Sequence, residues 1–279
     1  MAKKNQVVLI TGATRGIGRA TALHLAGKGH RVVATGRNAE LLESLEREAR
    51  DASLPLSVEA MDVTDDGAVQ RVVAKTVEES DRIDALVNNA GYGLWGALED
   101  LTMSELREQF ETNVFAVWRL SQAVLPIMRR NGFGTIVNVG SVSGRIGNPA
   151  GGAYAASKAA VSAMSRVMRM EVAAFGVRVV LIEPGLFRTD FQENQVNAKR
   201  VSDPESPYAE AIGKARKRRT GPFAGADPHK VAVRIGQVIE GKRPKARYSV
   251  GLDALAGTIA TRLLPDGALD AAVRRAVGW

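Results

Sequence analysis

Short apolar segments alternate with segments of helical periodicity along most of the chain, and this alternation constrains the fold more than any other feature. The apolar segments are rich in branched side chains, as strands buried on both faces are. Strands are predicted at Val7–Ile10, Arg31–Thr35, Leu56–Met61, Ile83–Val87, Gly134–Val139, Val177–Ile182 and Ala246–Val250. Helices are predicted at Ile17–Gly27, Ala39–Asp51, from Asp65, over Ser104–Arg130, at Tyr154–Phe175 and at His229–Glu240. Because strands joined by helices form parallel sheets through right-handed crossovers, we expect an α/β, doubly wound sheet of about seven parallel strands with helices on both faces.

The pattern indicates a single domain over residues 1–279, because nothing in it marks a boundary. After Pro184 the alternation stops, and residues 185–225 are polar and partly basic. We interpret this segment as a substrate lid, since a long insertion after a buried strand commonly covers a site. Residues 252–279 carry apolar side chains at helical spacing. They are expected to form a C-terminal helical extension that docks on the core or on a partner subunit.

The composition excludes several classes of site. The chain has no cysteine and three histidines, which excludes disulfides and thiolate chemistry and disfavours zinc, so no metal is expected. Its apolar runs are far shorter than the ~20 residues that span a bilayer. The first residues lead directly into a predicted strand and leave no room for a signal peptide. We therefore expect a cytoplasmic protein with no membrane span.

The net charge of +8 raises the question of an anionic partner. Positive residues are concentrated at Lys214–Arg219 and Lys242–Arg247. Neither run is interleaved with the aromatic side chains on which nucleic-acid bases stack. We interpret the two runs as a solvated helix face or part of the lid and expect no nucleic-acid partner.

A glycine-rich turn joins the first predicted strand to the first predicted helix. Glycines allow the backbone to turn tightly and approach a pyrophosphate, while the N-terminus of the following helix directs free N–H groups at the anion. The turn therefore predicts a dinucleotide site, with a tight turn that binds nothing as the alternative. Its candidate residues are Gly12, Thr14, Arg15, Gly16, Ile17 and Gly18.

The end of the second predicted strand indicates which dinucleotide is preferred. Folds that prefer NAD carry an acidic residue here, which binds the ribose 2′-hydroxyl. This chain has Gly36 followed by Arg37. A guanidinium binds a 2′-phosphate through paired hydrogen bonds, and Arg15 is placed to assist. We predict NADP(H) as the preferred cofactor and NAD(H) as the weaker one; the alternative is that both arginines are only solvated.

Tyr154 and Lys158 are the strongest candidates for catalysis. Their spacing places them one turn apart on one face of a predicted helix. A positive charge near a phenol stabilises the phenolate, so Lys158 is expected to lower the pKa of Tyr154 and make it a general acid or base. Ser141 precedes Tyr154 by 13 residues and follows the fifth predicted strand. It is the expected hydroxyl partner, with Ser143 as the alternative.

In their order and spacing, these motifs resemble the short-chain dehydrogenase/reductase family over residues 6–190. The resemblance also includes Asn113, Asp62-Val63, the Asn88–Gly91 segment and Pro184-Gly185 with Thr189. It implies a Rossmann-type oxidoreductase domain in which Ser141 orients a carbonyl, Tyr154 exchanges its proton, Lys158 binds the nicotinamide ribose and Asn113 holds a relay water. It further implies cofactor contacts at Asp62, Val63, Asn89, Ala90, Gly91, Pro184, Gly185 and Thr189. Two of these residues have a structural alternative. Asp62 could serve only to cap a turn, and Asn113 could be a buried asparagine whose side chain bonds to the backbone.

The expected substrate is a bulky hydrophobic alcohol or ketone. The expected pocket wall is apolar and aromatic and comprises Leu94, Trp95, Val142, Leu186, Phe187, Phe191, Tyr208 and Phe223. The segments Arg247–Gly251 and Leu263–Asp266 are similar to the branch with 17β-hydroxysteroid and retinol dehydrogenases. The family resemblance also implies a homodimer or homotetramer. Phe115, Trp118, Val161 and Met168 suit such an interface or, equally, a core.

Two other classes of function compete with the enzyme. A cofactor-binding regulatory module would keep the glycine turn without catalytic turnover, and a nucleic-acid binder would use the basic runs. Retention of both Tyr154 and Lys158 favours the enzyme.

Overall fold

A seven-stranded parallel sheet forms the centre of the protein, of which the computed structural model describes residues 5–191, 194–219 and 225–279. The strands are β1 (Val7–Ile10), β2 (Arg31–Gly36), β3 (Leu56–Ala60), β4 (Ala85–Asn88), β5 (Leu94–Trp95), β6 (Gly134–Val139), β7 (Val177–Pro184), β8 (Val196–Asn197) and β9 (Arg247–Val250). The order in the central sheet is β3-β2-β1-β4-β6-β7-β9, and β5 pairs with β8 in a separate small sheet. The predicted doubly wound parallel fold is therefore confirmed.

The helices connect these strands and cover both faces of the sheet. They are α1 (Gly16–Gly27), α2 (Ala39–Asp51), α3 (Asp66–Ser80), α4 (Met103–Phe110), α5 (Ala116–Arg130), α6 (Ser143–Ile146), α7 (Gly152–Glu171), α8 (Ala209–Arg219), α9 (His229–Glu240), α10 (Leu252–Leu263) and α11 (Asp266–Val277). A π-helical turn at Glu111–Phe115 joins α4 to α5. The helix predicted at Tyr154–Phe175 begins slightly earlier and ends in a short 3₁₀ turn.

Alternating side chains of the strands produce two core layers. Val8 and Ile10 of β1 pack on one face with Leu25 of α1 and Ile235 of α9. Leu9, between them, packs on the other face in the cluster that contains Leu120 and the apolar residues of α3. Because successive side chains of a strand point to opposite faces, this arrangement explains the continuous apolar runs in the sequence.

The strand order reverses between β1 and β4, which are direct neighbours although two strands separate them from each other along the chain. In open parallel sheets, ligands bind in the crevice outside the carboxyl ends of the strands at such a point. The topology therefore places a crevice next to the glycine-rich turn that follows β1.

The segment predicted as a lid is attached to the body of the protein by several contacts. Val196 of β8 pairs with Leu94, and the hydroxyl of Ser206 donates a hydrogen bond of 2.6 Å to Asp100. The last helix, α11, reaches α8, and the Trp279 ring stacks on Tyr208 at 6.1 Å. Phe223 lies outside the described residues, as do the side chains at the end of the first basic run.

Helix α10 packs on the core by one face only. Ala254 and Thr258 are buried there, whereas the neighbouring Leu255 and Ile259 are exposed and Leu252 is 87 % exposed. Within the described part of the chain, no helix combines the length and apolar character needed to cross a bilayer.

Candidate active site

A cavity of about 1020 Å³ lies at the carboxyl ends of the central strands. It is formed by the segments that follow β1, β2, β3, β4, β6 and β7 together with the start of α7. The structure thus brings together residues that are distant in the sequence. The predicted site residues that line the cavity are Gly12, Thr14, Arg15, Gly16, Ile17, Arg37, Asp62, Val63, Asn89, Ala90, Gly91, Ser141, Tyr154, Lys158, Pro184, Gly185 and Thr189.

Two predicted site residues do not line this cavity. Gly18 lies behind the turn, where any side chain would overlap the carbonyl oxygen of Gly12, so it allows α1 to pack closely on β1. Asn113 is fully buried in the π-helical turn. Both therefore act on the cavity only through neighbouring residues.

The glycine-rich turn has the shape that an anion site requires. Gly12 has a φ of +62° and approaches the loop after β4 so closely that a Cβ at Gly12 would lie 2.8 Å from the Cα of Ala90. Helix α1 begins directly after the turn, and its first turn contains no acidic residue. Its free N–H groups and positive dipole end thus face a concave surface that suits a pyrophosphate.

Hydrogen bonds connect this turn to the loop after β4. Thr11 Oγ1 accepts hydrogen bonds of 3.0 Å from the backbone N–H groups of Asn89 and Ala90. The Asn89 side-chain amide donates to the carbonyl oxygens of Thr11 and Gly12, each at 3.0 Å. Asn89 therefore fixes the two loops relative to each other from below the cavity.

Both predicted phosphate-binding arginines lie at the cavity, and each has a polar partner. Arg15 donates a hydrogen bond of 2.8 Å to the side-chain oxygen of Asn194, in the lid segment. Arg37 is 3.4 Å from the carboxylate of Asp62 and its side chain is 71 % exposed. Although burial opposes the shift, hydrogen bonds from Thr64 and the charge of Arg37 lower the pKa of Asp62. Asp62 thus caps a turn and also borders the cavity.

The catalytic candidates on α7 lie together, but their ionisation differs from the prediction. Burial raises the pKa of Tyr154 to about 12, although a hydrogen bond with Ser141 opposes this shift. Burial lowers the pKa of Lys158 to about 8. The ammonium group of Lys158 lies 5.7 Å from the centre of the Tyr154 ring and donates to the carbonyl oxygen of Val139 at 2.9 Å. The predicted lowering of the Tyr154 pKa by Lys158 was therefore wrong, because burial of the phenol raises this pKa more than the hydrogen bond with Ser141 lowers it.

Asn113 supports the catalytic helix from beneath. Its side-chain amide donates to the carbonyl oxygen of Tyr92 at 3.0 Å and to Ser157 Oγ at 3.1 Å, and its oxygen accepts from the N–H of Tyr92 at 3.1 Å. Ser157 in turn donates to the carbonyl oxygen of Tyr154 at 2.7 Å. These backbone bonds match the structural alternative for Asn113, and a role for it in a water relay stays a prediction.

Comparison with known proteins identifies the family. The family model described as short chain dehydrogenase matches residues 6–200. The chain belongs to the short-chain dehydrogenase family. It is therefore an oxidoreductase, and its seven-stranded sheet is the Rossmann-like sheet of that family.

Relatives and solved structures resemble this short-chain dehydrogenase along most of its length. It is 35% identical to a 3-ketodihydrosphingosine reductase from Bacteroides thetaiotaomicron, over 88% of each chain. The crystal structure of a short-chain dehydrogenase from Streptomyces avermitilis has a TM-score of 0.81 and 35% identity, over 100% of this chain and 97% of the other. A variant of actinorhodin polyketide ketoreductase with NADPH has a TM-score of 0.76 and 29% identity, over 92% of this chain and 99% of the other.

The wall of the cavity in this dehydrogenase is only partly the predicted one. Val142, Leu186, Phe187 and Phe191 line it, and the Phe191 ring lies 5.3 Å from the ring of Tyr154. The other predicted wall residues in the described part of the chain lie elsewhere. Leu94 and Trp95 form β5 and are buried under the lid segment, while Tyr208 donates a hydrogen bond of 2.6 Å to Glu99.

Sequence reasoning missed a buried ion cluster beside the site of this dehydrogenase. Glu183, the residue before Pro184, is 1 % exposed and accepts hydrogen bonds of 2.8–3.0 Å from Arg145. Arg247 of β9 lies 3.3 Å from the same carboxylate. The cluster ties α6, which follows Ser141, to the carboxyl end of β7. The signal available in the sequence was the acidic residue that follows the apolar run of β7.

Proposed function

We propose that the protein is an NADP(H)-dependent reductase of hydrophobic ketones in which Tyr154 donates the proton. The observation that carries the proposal is the convergence of Tyr154, Ser141 and Lys158 on one cavity with the glycine-rich turn. Bound NADPH would supply a hydride to the carbonyl carbon, and the protein's residues bind, orient and protonate. The same site, in reverse, would oxidise a secondary alcohol.

The residues present fit such a cofactor. The turn after β1 and the N-terminus of α1 would bind the pyrophosphate, and Asp62 and Val63, which line the cavity, would contact the adenine. Lys158 would bind the nicotinamide ribose, and Thr189 with Pro184-Gly185 would hold the nicotinamide. The side chain of Asn113 is already bonded to Tyr92 and Ser157. Asn113 would therefore hold a relay water through its main chain.

Two hydroxyl groups would donate the proton and stabilise the negative charge that develops on the substrate. Ser141 and Tyr154 would both donate hydrogen bonds to the carbonyl oxygen, where negative charge develops during reduction. Tyr154 holds its proton at neutral pH because burial raises its pKa to about 12. Tyr154 therefore has the proton that ketone reduction requires.

NADPH preference is supported by space and by charge. A Cβ at Gly36 would lie 2.5 Å from Thr14 Cγ2, so an acidic side chain at this position would fit only if Thr14 moved. Arg15 and Arg37 line the same end of the cavity. The similar polyketide ketoreductase structure contains NADPH.

We expect kcat/KM for NADPH to exceed that for NADH by about 10- to 100-fold, the usual effect of one or two hydrogen bonds to a charged group. Arg37→Asp should abolish most of this preference, because a carboxylate repels the 2′-phosphate. Arg47→Asp makes the same charge change on an exposed part of α2 outside the cavity and should keep the preference. A wild-type enzyme that prefers NADH would contradict the assignment.

The pH dependence of ketone reduction should follow the ionisation of the Lys158 ammonium group. As the pH rises, Lys158, with its pKa of about 8, loses its charge while Tyr154, with a pKa of about 12, keeps its proton. Because kcat/KM for NADPH reports the free enzyme, it should fall with a midpoint near pH 8. Lys158→Arg keeps the charge and should remove this fall, even at a lower plateau. A wild-type profile that stays flat above this midpoint would argue against the role of Lys158.

A hydrophobic substrate is supported by the cavity wall, which Val142 and Leu186 line and where Phe191 contacts the ring of Tyr154. The relatives named above include a 3-ketodihydrosphingosine reductase and a polyketide ketoreductase. The proposed function is tested by following NADPH consumption with a panel of steroid, retinoid, long-chain and small polar carbonyl compounds. Turnover confined to small polar or sugar substrates would refute the hydrophobic substrate class.

We also propose a homodimer or homotetramer in the cytoplasm. Phe115 and Trp118 are 49 % and 44 % exposed, which suits an interface between subunits. Val161 and Met168 are buried and belong to the core instead.

A further inference from the structure

We propose that Asp253, at the start of α10, is a positioning residue for the loop that follows β7. This loop comprises residues 185–189 and carries the groups expected to hold the nicotinamide. The inference rests on the proposed function. It assigns the C-terminal segment, beyond the residues 6–200 that match the family model, a part in building the active site.

Two consecutive backbone groups of the loop are bonded to the C-terminal segment. The N–H of Gly185 donates a hydrogen bond of 2.9 Å to the carbonyl oxygen of Val250. The N–H of Leu186 donates one of 2.6 Å to the carboxylate of Asp253. The first bond continues the pairing of β7 with β9, and the second, to a charged acceptor, extends the restraint by one residue into the loop.

The carboxylate also lies directly against the loop backbone. Any side chain at Gly185 would overlap both carboxylate oxygens of Asp253. Gly251 turns the chain into α10 with a φ of +106°, a conformation that other residues rarely adopt. The backbone at residues 185 and 251 is thus shaped to bring this carboxylate onto the loop.

The other side of the loop is held by the chain just before α9. The N–H of Arg188 donates to the carbonyl oxygen of Ala226 at 2.9 Å, and the N–H of Ala226 donates to that of Leu186 at 3.2 Å. The loop then delivers Thr189 to the glycine-rich turn, where a Cβ at Gly16 would lie 3.1 Å from Thr189 Cβ. Loss of the Asp253 contact would leave the Gly185–Val250 hydrogen bond alone on that side and so loosen one of the two sides that place Thr189.

Asp253 is suited to positioning rather than to catalysis or to general stability. It does not line the cavity, and it is exposed. Removal of an exposed carboxylate changes the overall stability little, so an effect on the cofactor would come from the loop. Asp266 offers a matched control, because it too lies in the first turn of a helix, α11.

The test compares Asp253→Ala, Asp253→Asn and Asp266→Ala in the full-length protein. Hydrogen exchange without cofactor should show faster exchange of the Leu186 amide in Asp253→Ala only. Fluorescence titration should show NADPH binding weakened by about 3- to 10-fold in Asp253→Ala, the usual effect of one hydrogen bond. Binding of 2′,5′-ADP, which lacks the nicotinamide, should be unchanged. Asp253→Asn keeps an acceptor oxygen and should retain most of the NADPH affinity.

Three outcomes would overturn the positioning role. They are unchanged NADPH affinity in Asp253→Ala, an equal loss of affinity for 2′,5′-ADP, and an equal effect of Asp266→Ala. A wild-type protein that binds neither NADPH nor 2′,5′-ADP would instead refute the proposed function itself. The two failures are therefore distinguishable.

Discussion

Tyr154→Phe should lower kcat for ketone reduction by about 10²- to 10⁴-fold, the usual contribution of a positioned proton donor. The substitution removes the hydroxyl that is to protonate the carbonyl oxygen and that hydrogen bonds with Ser141. The ring itself remains, so its contact with Phe191 and the bond from Lys158 to Val139 should persist. NADPH affinity, measured by fluorescence titration, should therefore stay within about twofold of wild type, because the change removes no cofactor-binding charge.

Tyr92→Phe is the matched control for this experiment. Tyr92 also lines the cavity, and its phenol likewise has a raised pKa, caused mainly by burial. Its backbone, rather than its hydroxyl, is what bonds Asn113. We expect near-normal kcat for Tyr92→Phe. A Tyr154→Phe enzyme with comparable turnover would eliminate Tyr154 as the proton donor.

The fold was predictable because each element depends on nearby residues. The apolar run of Val7–Ile10 and the helical spacing after it identify β1 and α1 without any tertiary information. The glycine-rich turn is also local, since its conformation follows from the glycines themselves. The placement of Tyr154 and Ser141 followed from the rule that carboxyl ends of parallel strands share one edge.

The remaining features depend on distances that the sequence does not contain. The pKa of Tyr154 is raised because the folded protein excludes water from the phenol. The spacing of Tyr154 and Lys158 in the sequence carries no information on this burial, so it could not predict the direction of the pKa shift. Arg15 is bonded to Asn194, which lies far away in the sequence. The prediction of Leu94 as a wall residue was wrong because its pairing with Val196 joins segments about 100 residues apart, which no local pattern of the sequence indicates.

Glu183→Leu should destabilise the protein by about 3–5 kcal/mol, the usual cost of removing one partner of a buried ion pair. The Glu183 side chain is only 2 % exposed, and Arg145 is also largely buried. Without the carboxylate, the Arg145 guanidinium remains away from water and close to Arg247, a second positive charge. Thermal unfolding should show the melting temperature lowered by about 10 °C, given 2–4 °C per kcal/mol for a chain of roughly this size.

The double variant Arg145→Met/Glu183→Leu separates the cost of an unpaired charge from the value of the pair. Because apolar side chains of similar volume replace a buried pair at little cost, it should regain most of the lost stability. Glu79→Leu breaks an exposed pair with Arg31 at 2.8 Å and should cost no more than about 1 kcal/mol. The regained stability need not restore catalysis, since the pair also holds α6, and with it Ser141, against β7. A double variant as unstable as Glu183→Leu would show that the carboxylate, rather than charge pairing, sustains the packing of β7 against α6.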